Sequence, residues 1–458
     1  MRIGELGWWW RSLGGPPEPR PPLPGPVEAD VAIVGAGFTG LWTAYYLKRA
    51  EPSLRVVVLE AEHAGFGASG RNGGWISGFF SGPARAYERR SGARRYAELQ
   101  RQMLATVGEV GEVLARHNID ADFLPAGNLT VAIGSAQLTR LRAGIGEARE
   151  HGLAEADLRE LSSSELGERV RVTGAQGASF TPHVARVHPA KLVRGLAAAV
   201  EQLGVEIYER TPVTAIEPRR ARTARGTVDA RWVVRATEGY TAGLRGERRT
   251  LVPMNSSMIV TEPLDEQAWA EIGWQGAELI GDGAHVYVYL QRTADARIAI
   301  GGRGVPYRFG SRTDGRGETA PATVRELRAK LGAMFPAAAS AETAHAWSGV
   351  LGVPRDWCPA VVADPTRGLA AAGGYVGEGV AAANLAGRTL RDLLLGERTE
   401  LTALPWVARS PRRWEPEPLR WAEIHAVYAL YRRADAAERR SGGPSRLGAL
   451  IDALSGRE

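Results

Sequence analysis

Hydrophobic and polar positions follow two different periods along this chain, and the changes from one period to the other outline its elements. Val31-Ala32-Ile33-Val34 has no polar positions between its apolar ones, as a short strand buried on both faces of a parallel sheet requires. Leu41, Ala44, Tyr45 and Leu47 then recur at helical spacing, predicting a helix over roughly residues 39–50, and residues 56–59 supply a second buried strand. From about residue 85 to 119, Met103, Leu104, Val107, Val110, Val113 and Leu114 form the core stripe of a long helix. Another helix opens at His188-Pro189, with proline early in its first turn. Residues 205–208, 214–216, 227–228 and 232–234 read as short strands that return the chain to the first sheet. Between 251 and 305 the pattern changes. Residues 258–260, 286–291 and 298–300 are alternating or apolar runs bounded by turn residues, the signature of an antiparallel sheet. Residues 381–395 and 421–440 read as further helices.

A chain of 458 residues exceeds the roughly 250–300 that one core normally serves, so two domains are expected. The fold class is α/β, α+β overall: a Rossmann-type dinucleotide-binding domain with an inserted antiparallel-sheet substrate domain. Residues 29–84, 170–245 and 340–400 are assigned to the first, and 85–169 and 246–339 to the second. Residues 1–28 form an arm rich in proline and tryptophan, and 401–458 a helical tail. Prolines between 16 and 26 keep the arm extended. Trp8, Trp9 and Trp10 read as anchors pressed into a surface groove.

The turn after the first strand carries the chemistry. In Gly35-Ala36-Gly37-Phe38-Thr39-Gly40, the first glycine permits the tight turn, Gly37 lets backbone approach a pyrophosphate, and Gly40 lets the helix sit close to the strand. The helix N-terminus then faces the phosphates. Glu60 ends the second strand twenty residues after Gly40, where a carboxylate accepts hydrogen bonds from a ribose and repels a 2′-phosphate, which argues against NADP. Directly after Glu60-Ala61 comes Gly65-Phe66-Gly67-Ala68-Ser69-Gly70-Arg71-Asn72-Gly73-Gly74, with so little side chain that it can lie flat against a planar cofactor. A third small-residue cluster, Gly373-Gly374-Tyr375-Val376-Gly377-Glu378-Gly379-Val380, opens a second helix whose amides stabilise negative charge. Ala236-Thr237-Glu238-Gly239-Tyr240 offers another edge. Three separated small-residue clusters suit a long, extended ligand.

Composition narrows the picture. Net charge is +6, but the basic residues are spread along the chain and are nearly all arginine, so no basic patch points to nucleic acid. Cys358 is the single cysteine, which excludes intrachain disulfides and multi-cysteine zinc patterns; no metal set is expected. A reducing compartment fits, and the apolar stretch near the N-terminus is too short for a signal peptide or membrane span, so a cytoplasmic enzyme is expected, with no membrane contact.

The order of GAGFTGLWTAYYL, VVVLE, GASGRNGG, VHPAKLVRGL, RTPVTAIE, ATEGY, WSGVLGVPRDWCP and AGGYVGEGVA resembles the FAD-dependent D-amino-acid-oxidase-like superfamily over nearly the whole chain. The superfamily includes glycine, sarcosine and γ-glutamylputrescine oxidases. Within it, GFTGLWTAYYL, GASGRNGG and the tail from Glu415 to Trp421 are most similar to the γ-glutamylputrescine oxidase and aminophosphonate oxidoreductase branch. The resemblance implies FAD, with Gly35, Gly37 and Gly40 at the pyrophosphate, Glu60 at the ribose and Val213 meeting the adenine through its backbone. It further implies that residues 69–74 and 374–380 surround the isoalloxazine. Phe38, Thr39, Ala61, Gly67, Ala68, Ser69, Arg71, Asn72, Gly73, Gly74, Ala236, Thr237, Gly239, Gly349, Gly374, Tyr375, Gly377, Gly379 and Val380 complete the expected cofactor set. Cys358 does not fall where the covalent-linkage cysteine of sarcosine oxidases would, so noncovalent FAD is expected. Relatives use a lysine near the flavin to help O2 react. Residues 297–303 contain none, so the reading with O2 as acceptor stands beside that of a dehydrogenase.

The implied reaction is oxidation of a small amine or amino acid to an imine, hydrolysed to a carbonyl compound, with H2O2 as coproduct. Tyr287 and Tyr289 share one strand face with Gln291 and are the leading pocket candidates. Arg303 is the candidate partner for a substrate carboxylate or phosphonate. Trp347, Trp357, His183 and His188 read as structural. A hydroxy-acid or polyol dehydrogenase, and a noncatalytic flavin-binding protein docking through the arm and C-terminal helix, stay open.

Overall fold

In the computed structural model, which describes residues 1–313 and 315–455, two sheets organise the chain. The first has eight strands. At its centre Val27–Val34 lies parallel between Val56–Leu59 and Gly226–Arg235. Glu206–Tyr208 and Leu369–Gly373 extend the parallel array on either side. The all-apolar runs explain why: Val31 to Val34 and Val56 to Leu59 are at most 4% exposed, and each large side chain so buried contributes roughly 1.5–3 kcal/mol. Helix Phe38–Ala50 packs against helix Gly379–Leu395, so the first and third glycine clusters open neighbouring helices. Their approach is close, because a Cβ on Gly387 would lie 2.8 Å from the Trp42 backbone.

The second sheet has nine strands. Its centre is antiparallel as expected, with Val252–Thr261 between Ile298–Gly302 and Thr343–Val353, and Val288–Arg292 beyond Ile298–Gly302. Two parallel joins depart from that expectation, one of Leu279–Asp282 with Asn128–Ile133 and one of Arg2–Ile3 with Thr343–Val353. Ala175–Thr181 and Thr343–Val353, assigned above to the nucleotide-binding segments, also pair in this sheet. Motif positions set those assignments, whereas strand pairing crosses them.

Other differences have local causes. The long helix expected over 85–119 is two helices, Ala84–Ser91 and Ala93–Arg116, broken at Gly92, whose φ of +80° no helix accommodates. Strand Val288–Arg292 starts later than expected, leaving Tyr287 just before it. Trp9 and Trp10 are not in a surface groove: a short helix, Trp8–Arg11, drives both into the main core, while Trp8 is covered by the Arg297 guanidinium 4.3 Å above its ring. The proline segment runs without regular structure and is held by Arg20 bonding Glu201 and Glu209 and by Leu23 N–H donating to Thr211. The C-terminal helix Leu419–Ser441 is no free docking face, since Ile424, Tyr428 and Tyr431 bury against Val252, Met254, Val286 and Tyr307.

Candidate active site

The glycine turn works as its spacing demands. A Cβ on Gly35, at φ +108°, would lie 2.6 Å from the Ala236 carbonyl oxygen, and one on Gly40 would lie 2.0 Å from the Gly35 oxygen. Such contacts admit no side chain, so the helix start sits directly on the strand end. No side chain caps helix Phe38–Ala50, apart from Phe38 N–H donating to Ser69 Oγ at 2.8 Å, so its first turn can serve an anion. Glu60 accepts from the Ala36 and Glu62 amides at 2.8 and 3.0 Å. Burial pushes its carboxyl up to about 7, against the pull of those bonds.

These groups line a cavity of about 470 Å³. Gly35, Gly37, Phe38, Thr39, Glu60 and Ala61 form one end, with Val213, Ala236, Thr237 and Gly239 along a wall. Gly67, Ala68, Ser69, Asn72, Tyr375, Gly377, Gly379 and Val380 enclose the other. A cavity paved by glycine and bordered by a helix N-terminus and a carboxylate fits FAD. Six expected cofactor residues lie outside it: Arg71, Gly73 and Gly349 line a second cavity, and Gly40, Gly74 and Gly374 line neither. Gly40 is spent on helix packing, Gly74 faces Gln291 and Val187, and Gly374 N–H donates to Glu238. Arg71 donates to the Phe66 and Gly315 carbonyls and stacks 4.5 Å from the Phe66 ring, so it braces its loop where that loop borders the second cavity.

Glu238 was passed over in the sequence, where it is merely an acid after a strand. Its carboxylate accepts from Gly374 N–H at 2.7 Å and from Gly352 and Tyr375 N–H at 3.2 Å. One side chain thus ties the Ala236–Tyr240 edge to the third glycine cluster. Burial pushes it up to about 7, again against its hydrogen bonds. Thr39 Oγ1 and Tyr375 OH, 3.1 Å apart, join the first and third clusters.

A second cavity, of about 110 Å³, adjoins the first; Ala68, Asn72, Leu351, Gly377 and Val380 line both. Gly73 and Gly349 line it with Tyr287, Tyr289 and Arg303. Tyr289 occupies space that only glycine leaves, since a Cβ on Gly73 or Gly301 would lie 2.8 or 2.2 Å from its ring. Its hydroxyl is 2.8 Å from Ser256 Oγ, and Gln291 on the same face donates to the Gly73 carbonyl at 2.7 Å. Tyr287 stands at the rim, 41% exposed. Arg303 is 9% exposed, and no acid among the described residues pairs with it. Glu378 is the one carboxylate lining this cavity; burial raises its pKa, and Ser77 offsets that in part. Sequence reasoning missed Glu378 because its motif reads as a backbone feature, and missed Trp75, Ser256 and Tyr428 because no local signal brings them here.

The loop between the cavities is held from beneath. Trp9 Nε1 donates to the Asn72 carbonyl at 2.7 Å and Trp347 Nε1 to the Arg71 carbonyl at 2.9 Å. Cys358 is buried beside Tyr87 and lines neither cavity; burial pushes its thiol up to about 11. His183 bonds Asp157 and His188 caps a helix, both structural roles as expected, and Trp357 is buried. His285, Asp435 and Glu438 lie close enough to hold a cation, but Asp435 is engaged by the His285 and Val286 amides and Glu438 by Arg140. No helix among the described residues is long and apolar enough to cross a membrane.

Comparison with known proteins agrees with this site. The chain is 31% identical over 385 residues to gamma-glutamylputrescine oxidoreductase of Escherichia coli, covering 82% of this chain and 86% of that protein. The crystal structure of glycine oxidase from Geobacillus kaustophilus superposes with a TM-score of 0.69 at 22% identity, covering 84% of this chain and 99% of that one. L-Proline dehydrogenase from P. horikoshii gives the same TM-score at 19% identity, over 83% of this chain and 98% of that one. Residues 30–393 match the FAD dependent oxidoreductase (DAO) family, spanning both cavities' glycine clusters, and the chain belongs to that family of FAD-binding oxidoreductases.

Proposed function

We propose that this oxidoreductase oxidises a small amine or amino acid to an imine, which water hydrolyses to a carbonyl compound. The observation that carries the reading is the second cavity, which shares five lining residues with the glycine-lined first and holds one half-buried carboxylate and the buried Arg303. The relatives named above, which act on amines and amino acids by name, support the substrate class.

In this reading Gly35, Gly37, Ser69 and the first turn of helix Phe38–Ala50 hold the pyrophosphate, Glu60 accepts from the ribose, and Val213 borders the adenine. FAD is held noncovalently, since the lone thiol is buried away from both cavities. Bound FAD supplies the two-electron acceptor. The chain's own residues prepare the substrate for it. A free amine resembles lysine, with a pKa near 10, and enters as an ammonium. Glu378, between two residues that line both cavities, takes its proton, leaving a lone pair that favours C–H cleavage at the neighbouring carbon. The Tyr289 and Trp75 rings exclude water and favour the neutral amine. Arg303, which lines the second cavity and not the first, holds the substrate's anionic end. O2 is the acceptor that regenerates oxidised flavin, and a reducing cell interior suits the lone thiol.

Anaerobic mixing of FAD-loaded protein with amines, amino acids and aminophosphonates tests the reading. Bleaching of the flavin by members of this panel is expected. Flavin that stays oxidised throughout, yet is bleached by hydroxy acids, overturns it.

A further inference from the structure

We infer that the part of the second cavity lined by Arg303 and Tyr428, neither of which lines the first cavity, is an anion subsite with two arms, the Arg303 guanidinium and the Tyr428 hydroxyl, the second supplied by a helix beyond the family-matched residues. It deepens the amine-oxidising reading, on which it rests for the orientation of the substrate.

Four observations meet at this point. Among the described residues Arg303 is buried without an acid, and its one hydrogen bond is a long one, 3.5 Å, to the Asn255 carbonyl. A guanidinium removed from water in this way gains by meeting an anion. Tyr428 is 4% exposed and lines the same cavity, and its hydroxyl is buried with no hydrogen-bond partner. An orphaned phenol O–H is costly, and an anion oxygen would satisfy it. The guanidinium carbon stands 5.7 Å from the Tyr428 ring centre, so one carboxylate or phosphonate can reach both groups. Finally, the helix that carries Tyr428 is fixed rather than loosely laid on. His425 bonds the Tyr307 carbonyl at 2.9 Å, Arg432 donates to the Gly304 carbonyl at 3.1 Å, and Asp435 accepts from the His285 and Val286 amides at 2.9 and 3.1 Å. Three turns of one helix are therefore pinned to the strand ends that frame Arg303. Tyr428 lies outside residues 30–393, so the family fold supplies the flavin site while the appended helix sets which anionic tail is accepted.

The test uses the FAD-loaded full chain and Tyr428→Phe, which keeps the ring and deletes only the hydroxyl. Acetate, propionate and methylphosphonate are titrated anaerobically while the visible flavin spectrum is followed. Wild-type protein is expected to bind these anions with a spectral perturbation, and Tyr428→Phe to weaken them roughly tenfold. Arg303→Met abolishes the response. The tighter of the carboxylate and phosphonate series names the tail. Flavin content and thermal melting establish that the phenylalanine variant is folded; should it lose flavin, Arg303→Lys, which keeps the charge and loses the planar fork, replaces it with the same expected weakening. Equal anion affinity in wild type and variant, or no anion response in wild type, overturns the inference. Amine-driven bleaching with unchanged anion affinity sinks the subsite and spares the amine reading. Anion binding that depends on Tyr428, in a protein whose flavin no amine reduces, does the reverse.

Discussion

Glu238 offers a direct contest between burial and hydrogen bonding. Its carboxyl is pushed up to about 7 in the folded protein from an ordinary 4.5, with burial as the largest cause and the Gly374, Tyr375 and Gly352 amides pulling the other way. The folded protein therefore keeps a proton that the unfolded chain has shed between these values. The stability this contributes is complete below pH 4.5 and is lost as pH rises through 7. A gap of about 2.5 pH units, at about 1.4 kcal/mol each, is worth about 3 kcal/mol. Glu238→Gln has the shape of the protonated acid and does not titrate. Urea unfolding of FAD-free protein, followed by tryptophan fluorescence at pH 5 and pH 8, should find the variant close to wild type at the lower pH and about 3 kcal/mol more stable at the higher. Glu238→Ala leaves three amides without an acceptor and should be destabilised by about 3 kcal/mol at pH 5, since each orphan costs roughly 1–3 kcal/mol and water recovers part; at pH 8, where wild type has itself lost about 3 kcal/mol, the alanine variant should lie close to it. A glutamine variant that is less stable than wild type by the same margin at both pH values would refute the reasoning, because the three amides would then hold the group ionised throughout.

Other consequences can be checked separately. Glu60 is also pushed up to about 7 without cofactor, and a ribose hydroxyl favours its ionised form, so the FAD dissociation constant should rise about tenfold per pH unit below 7, a slope that Glu60→Gln removes; fluorescence titration reads it. Gly40→Ala places a methyl 2.0 Å from the Gly35 oxygen, should cost about 3 kcal/mol or more, and should yield protein without visible flavin absorbance. Glu378→Gln should slow anaerobic flavin reduction by about 100-fold and erase the acidic limb of its pH profile, while leaving flavin content intact, as stopped-flow absorbance would show.

What could be read in the sequence was what depends on neighbours along the chain. Gly35, Gly37, Gly40 and Glu60 sit within one strand–turn–helix–strand unit, whose spacing alone places them. Tyr287 and Tyr289 line one cavity, and Gln291 bonds the Gly73 carbonyl at its wall, because alternation along the chain puts all three on one face. Glu238, Glu378 and Tyr428 were illegible for the opposite reason. Each matters through a partner more than 70 residues away or through a wall built by another element, as in Glu238 with Gly374 or Tyr428 with Arg303. The break at Gly92 could have been foreseen, since glycine interrupts the stripe, but a single glycine in a strongly periodic run is outweighed by the pattern around it.

The two tryptophan bonds under the flavin loop bear on the order in which this protein can mature. Trp9 is made long before Trp347, yet its ring rests 5.9 Å from that of Trp347, and Arg2 aligns with His345. The loop that Trp9 steadies thus lacks its second support until Trp347 has been made. Capture of the coenzyme belongs to the end of synthesis, and a nascent chain stalled before that point should emerge colourless.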